Sequence, residues 1–187
     1  MAGLGASLKK TVVLVGMMGA GKTAVGKVLA TMLNVPFLDS DEEIVKAANR
    51  SIAGIFTRDG EAFFRARETE VITRLLDEKI GILSTGGGAY LADQNRAVIS
   101  DKGVAVWLRA DLDLLWTRVR NKNTRPLLQT DNPRETLREL CEAREPLYAK
   151  AELTVKCDPK YSIDEMAAAV FEALKTRPDV MEIDQNG

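Results

Sequence analysis

The stretch Gly16-Met17-Met18-Gly19-Ala20-Gly21-Lys22-Thr23 decides how this chain is read. It fits the pattern G-x-x-x-x-G-K-[ST] at every defined position. Before it lies Thr11-Val12-Val13-Leu14-Val15, an apolar β-branched run of the kind that forms a buried parallel strand. After it, Val25, Val28, Leu29 and Leu33 fall at helical spacing within Lys22 to Leu33. A glycine loop between a strand and a helix lets successive backbone N–H groups turn inward around a phosphate, and the helix start adds its positive end. Gly19, Ala20 and Gly21 would supply that backbone, Lys22 a point charge for the β- and γ-phosphates, and Thr23 a hydroxyl for Mg²⁺. A bare turn needs neither Lys22 nor Thr23, so the motif points to a nucleoside triphosphate with Mg²⁺.

Outward from this loop, strands and helices alternate. Pro36-Phe37-Leu38 reads as a second strand ending at Asp39, and Ser40-Asp41-Glu42-Glu43 as a capping box opening a helix with Ile44 and Val45. Asp59-Gly60 marks a turn before a helix of about Glu61 to Asp77. Ile80 to Thr85 reads as a third strand stopped by Gly86-Gly87-Gly88, then come a helix of about Asp93 to Ile99 and a strand of Val104 to Leu108. Asp111 is placed to cap a helix to about Arg118. The polar, basic stretch from Val119 to Asn132 reads as a flexible lid with few apolar anchors. Asn132-Pro133 restarts a helix with a cap and a first-turn proline, which Pro146 should kink or end. Leu153-Thr154-Val155 is a last strand, and Ser162 with Glu165 a capping box for the final helix. Asp179 to Gly187 reads as a frayed tail. The alternation predicts an α/β fold, a parallel sheet with helices on both faces, in one domain spanning 1–187. Ligands of such sheets bind beyond the carboxyl ends of the strands, where the glycine loop, Asp39 and Gly86 to Gly88 would gather.

Composition narrows the chemistry. The 187 residues carry a net charge of −1, which argues against a general nucleic-acid or membrane-surface binder. There is no histidine, so every mechanism built on one is excluded. Two cysteines, Cys141 and Cys157, make neither a disulfide framework nor a metal pattern, and fit a cytoplasmic setting. Lys9-Lys10 and the apolar run after it imitate a signal peptide, but the glycines from Gly16 interrupt it at strand length. No apolar stretch approaches the roughly 20 residues needed to span a bilayer.

The triphosphate motif alone fits a kinase, a GTPase switch or a motor. A guanine-selective switch would carry N-K-x-D, whereas Asn121-Lys122 is followed by Asn123-Thr124. The third strand ends in Ser84-Thr85-Gly86 without a carboxylate, so Asp39 must supply the acidic group beside the metal. A small-molecule kinase suits this set best.

Other segments then combine: Asp39-Ser40-Asp41, Glu61 with Phe64-Arg65, Gly86-Gly87-Gly88, Arg125-Pro126-Leu127-Leu128, and Arg144-Glu145-Pro146-Leu147-Tyr148. With the phosphate loop, this ordered set closely resembles the shikimate kinase family, from about Thr11 to Leu174. The resemblance implies a P-loop three-layer α/β/α fold with a five-stranded parallel sheet. It implies transfer of the γ-phosphoryl group of ATP to the 3-hydroxyl of shikimate, a step toward chorismate and the aromatic amino acids. Lys22 and Thr23 would serve ATP and Mg²⁺, Asp39 would hold metal-bound water, and Asp41 would act as base on the acceptor hydroxyl. Arg65 and Arg144 would bind the shikimate carboxylate, with the Gly86, Gly87 and Gly88 backbone beside it. Arg125 would close from the lid onto the transferring phosphate, and Arg118 would stack on adenine. The family usually works as a monomer. Lys156-Cys157-Asp158-Pro159 departs from its pattern, which often has an arginine near the proline beside adenine.

The chemistry of the residues agrees. Shikimate is a small polyol with one carboxylate, and arginine offers planar, bidentate cations for such a group. Each residue also has a plain structural reading: Asp41 in a first helical turn, Arg65 paired with Glu61 or Glu68 along its helix, the basic lid as a solvated face. A gluconate kinase of the same branch and a non-catalytic nucleotide-dependent binding module are the alternatives.

Overall fold

Two strands precede the glycine loop: β1 (Ala6–Leu8) and β2 (Thr11–Val15). All five residues of β2 are buried, as an apolar β-branched strand covered on both faces should be. The computed structural model describes residues 5–121 and 128–184. After the loop come α1 (Lys22–Leu33), β3 (Phe37–Asp39), α2 (Ser40–Ala48), α3 (Ile52–Asp59), α4 (Glu61–Glu78) and β4 (Ile82–Ser84). A 3₁₀ turn at Ala89–Leu91 leads into α5 (Asp93–Lys102), β5 (Gly103–Arg109) and α6 (Leu112–Val119). The chain continues through α7 (Pro133–Tyr148), β6 (Leu153–Lys156), α8 (Ile163–Leu174) and β7 (Met181–Ile183).

The main sheet has five strands in the order β3-β4-β2-β5-β6, and every pairing is parallel. Leu14, Ser84 and Asp39 stand side by side in register on β2, β4 and β3. The three carboxyl-end loops therefore leave the sheet at one level. Thr85 locks two of them together, since its hydroxyl donates to the Leu14 carbonyl at 3.0 Å. Gly81 permits β3 and β4 to approach, because a Cβ there would lie 2.4 Å from the Pro36 carbonyl oxygen. The expected α/β sheet is thus present, with five strands.

Several local expectations need correction. The cap of α2 is Asp39, whose Oδ1 accepts from the N–H of Asp41 and Glu42 at 2.9 and 3.2 Å. Ser40 sits inside the helix, fully buried. The cap therefore lies one residue before the expected Ser40, because two adjacent residues could each cap and the strand end selected the first. Asp111 occupies a cap position but makes no side-chain cap bond. Pro146 does not stop α7, which runs on to Tyr148. A proline so near the end removes one helical hydrogen bond and leaves little helix to distort. Helix α3 is unannounced by a long apolar stripe, although Ser51 caps it through the Gly54 N–H.

The frayed tail is also corrected. β7 pairs antiparallel with β1, Leu8 opposite Met181 and Ala6 opposite Ile183. Val180 and Met181 are 0% and 1% exposed. Apolar burial beside a distant strand holds this segment, which no local periodicity announces. The lid expectation is partly corrected: Val119 ends α6 in the core, and Leu128 is buried with it. Residues 122–127, Arg125 among them, lie outside the described residues.

Candidate active site

The phosphate loop leaves β2 with Gly16, Gly19 and Gly21 at φ 143°, 83° and 95°, a region open to glycine and strained for other residues. Space tightens the requirement, since a Cβ on Gly16 would lie 2.9 Å from the Leu108 carbonyl oxygen. Gly21 caps α1 without a side-chain bond, so the first-turn N–H groups face the loop's hollow. Lys22 Nζ donates to the carbonyls of Gly16 and Met17 at 2.6 and 3.0 Å. Arg118, from the last turn of α6, donates from Nη1 to the Gly19 carbonyl at 2.9 Å.

A cavity of about 550 Å³ opens here, with Gly19, Ala20, Gly21, Lys22, Thr23, Asp41, Gly86, Gly87 and Arg118 among its lining residues. The phosphate loop and acceptor loop thus share one hollow. Tyr161, Ile163 and Met166 also line it. Sequence reading missed these three, although two large apolar side chains flanking the helix cap Ser162 could have signalled them. Cys157 does not reach the hollow. Its thiol is buried 3.8 Å from the Ala20 carbonyl, beneath the loop, and burial pushes its pKa up.

At the metal side, Thr23 Oγ1 lies 3.4 Å from Asp39 Oδ2. The other oxygen of Asp39 is engaged by the α2 N–H groups, which aims Oδ2 at Thr23. One hydroxyl and one carboxylate oxygen suit Mg²⁺, a hard cation that takes few protein ligands and keeps water and phosphate oxygens around it.

The acceptor side is built around three glycines. A Cβ on Gly86 would meet Asp41 Oδ1 at 2.9 Å, one on Gly87 would meet Arg144 Nη1 at 3.1 Å, and one on Gly88 would meet Arg65 Nη2 at 2.4 Å. Each glycine therefore admits one of the three charged groups named from sequence. The N–H groups of Gly87 and Gly88 meet no acceptor among the described residues. Asp41 comes from α2, Arg65 from α4 and Arg144 from α7, so no two share an element. Burial pushes the Asp41 carboxyl up, helped by Asp39 and opposed by Lys22 and Arg65.

Arg65 also makes the helical ion pair that a structural role would give it. Nη1 lies 2.9 Å from Glu68 Oε1, and Nε 3.8 Å from Glu61. Glu68 is 1% exposed, and its Oε2 has no hydrogen-bond partner. Burial raises its pKa against the pull of Arg65. The pair and the site are thus compatible, since Glu68 holds the guanidinium against Gly88. Tyr148 lies one turn beyond Arg144 on α7. Its hydroxyl donates to the Gly87 carbonyl at 2.5 Å, and the nearby charge of Arg144 opposes the burial that raises its pKa.

A larger groove of about 830 Å³ lies between α2, α3 and α4, away from these loops. Its cations are mostly committed to neighbouring acids, as in Arg67–Glu70 and Lys46–Glu43, which marks it as a charged helix surface.

A phosphate loop on a parallel sheet, facing a polar acceptor pocket, defines a P-loop phosphotransferase acting on a small anionic polyol. A family model described as shikimate kinase matches residues 18–175. A shikimate kinase from Cereibacter sphaeroides is 64% identical over 180 residues, covering 96% of this chain and 90% of that protein. One from Ruegeria pomeroyi is 63% identical, covering 95% of this chain and 91% of the relative. The chain belongs to the shikimate kinase family. Its reaction is the ATP- and Mg²⁺-dependent phosphorylation of shikimate, in chorismate and aromatic amino acid biosynthesis. Among solved structures, shikimate kinase from Acinetobacter baumannii in complex with shikimate superposes with TM-score 0.84 at 38% identity, covering 89% of this chain and 93% of that one. A gluconokinase from Sinorhizobium meliloti has TM-score 0.61 at 18% identity, which shows a shared fold alone. The gluconate-kinase alternative and the non-catalytic alternative are therefore set aside. No helix among the described residues is long and apolar enough to cross a membrane.

Proposed function

We propose that the residues gathered at the carboxyl ends of β2, β3 and β4 divide the phosphorylation of shikimate among them as follows. The shikimate carboxylate lies between the guanidinium groups of Arg65 and Arg144, over the open N–H groups of Gly87 and Gly88. Asp41, against Gly86, accepts the proton of the 3-hydroxyl. That oxygen attacks the γ-phosphorus of ATP, the bond to the bridging oxygen breaks, and ADP leaves. Lys22 and the loop N–H groups from Gly19 to Thr23 hold the phosphates, and Arg118 borders the nucleotide. Thr23 and Asp39 would hold Mg²⁺, which when bound neutralises phosphate charge. Arg125 is assigned from sequence as the cation that closes on the transferring group. Phosphoryl transfer needs positioning and charge neutralisation rather than covalent catalysis, so a chain without histidine suffices.

The observation that carries this reading is the matching of Gly86, Gly87 and Gly88 to Asp41, Arg144 and Arg65. The chain is further assigned as one kinase domain over 1–187, working as a cytoplasmic monomer without nucleic-acid or membrane partners. A coupled assay of ADP release with shikimate, gluconate or no acceptor tests the site. Release with shikimate alone is expected. Equal release with gluconate would overturn the acceptor assignment.

A further inference from the structure

Tyr148 ends α7 with its side chain fully buried. Its ring packs tilted against Trp107, centroids 6.0 Å apart, and its hydroxyl lies 4.0 Å from Met17 Sδ in the phosphate loop. A buried phenol needs a partner, and this one finds it in the Gly87 carbonyl, to which it donates at 2.5 Å. Arg144 crowds the same glycine, since a Cβ on Gly87 would lie 3.1 Å from its Nη1 and 3.9 Å from the Tyr148 hydroxyl.

The bond to Gly87 has a geometric consequence. The chain contains no cis peptide among the described residues. In a trans peptide the carbonyl of one residue and the N–H of the next point to opposite sides of the peptide plane. Holding the Gly87 carbonyl against Tyr148 at 2.5 Å therefore turns the Gly88 N–H to the opposite side of that peptide, away from the phenol. Glycines have wide backbone freedom, and three in a row would not keep one peptide orientation unaided.

We infer that Tyr148 is a positioning residue for shikimate: its hydroxyl sets the Gly87–Gly88 peptide, beside Arg144 and Arg65, in the orientation that receives the carboxylate. The inference rests on the placement of that carboxylate between Arg65 and Arg144.

Tyr148→Phe keeps the ring and its packing on Trp107 and removes the hydrogen bond to the Gly87 carbonyl. Titration calorimetry of shikimate into the variant is expected to show affinity reduced about five- to ten-fold, in line with loss of one hydrogen bond of about 1 kcal/mol. Affinity for ATP should stay within two-fold of the parent, a split that general damage to the fold would not produce. Unchanged shikimate affinity, or equal losses for both ligands, overturns the inference. Arg144→Lys, run alongside, separates it from the reading beneath: if that variant binds shikimate normally, the carboxylate placement itself fails. If the phenylalanine variant does not fold, fluorotyrosine at Tyr148 alters hydroxyl acidity without changing shape. A shifted shikimate KM at constant ATP KM then supports the inference, and two unchanged values refute it.

Discussion

Asp41 is held where the fold disfavours its charge. Partial burial and the neighbouring Asp39 raise its pKa above the ordinary carboxylate value, and the attraction of Lys22 and Arg65 only partly offsets them. The folded value therefore exceeds the unfolded one. The neutral acid is favoured by folding, and that contribution is lost as pH rises through the folded value. The ionised carboxylate is therefore held at a cost to stability. With Asp41 as the proposed proton acceptor of the 3-hydroxyl, Asp41→Asn should lower kcat by about 10²-fold or more. The same variant should unfold at an equal or higher temperature at pH 7. Turnover assays and thermal unfolding measure both, and a clear fall in unfolding temperature would show that the attraction to Lys22 and Arg65 outweighs burial. The identity of Asp41 was legible as an acid following a strand. Its half-burial was not, because that depends on Gly86 and Arg65, residues far along the chain.

The element that positions Asp41 is α2, and its start depends on Asp39. One oxygen of Asp39 caps the helix and the other faces Thr23. Asparagine caps as well as aspartate, so Asp39→Asn should leave stability unchanged while raising the Mg²⁺ concentration needed for half-maximal activity. Asp39→Ala should add a loss of about 1 kcal/mol from the missing cap. Magnesium titrations and urea unfolding of the pair separate the two duties, and equal destabilisation of both variants would remove the capping role. Helices with a long apolar stripe or a clear cap, such as α1, α7 and α8, were legible. Helix α3 was not, since its eight residues contain Gly54 and give the period little length to show itself. Strands β1 and β7, three residues each, are stabilised by each other across the whole chain and leave almost no local signal.

For the whole molecule, the sheet order is what creates the site. β4 stands between β3 and β2, so Gly86 to Gly88 emerge between Asp39 and the phosphate loop. The β1–β7 ribbon lies at the other end, because β1 leads into the amino end of β2 and the Lys9 N–H donates to the Val180 carbonyl at 2.7 Å. Deleting residues 179–187 exposes what Val180 and Met181 cover. Burying a side chain of that kind contributes roughly 1.5–3 kcal/mol. In a chain of this size each kcal/mol moves the unfolding temperature by about 2–4 °C. The truncated protein should therefore unfold more than about 5 °C lower while its shikimate KM stays within two-fold. Calorimetry and steady-state kinetics check this, and an unchanged unfolding temperature would mean that the ribbon adds nothing.

The sequence by itself determined the phosphate loop, the parallel α/β architecture and the family, and it named the charged residues that the fold gathers around Gly86 to Gly88. These follow from local chemistry: glycines where backbone must turn inward, a lysine and a threonine at a helix start, an apolar period of one kind or the other. Only the tertiary structure decided which glycine faces which charge, that Tyr148 bonds the Gly87 carbonyl, and that strands from the two ends of the chain pair. Those relations join residues on different elements. Their contacts are set by strand order and by the volume left where a Cβ is missing, and neither quantity is carried by any single stretch of sequence.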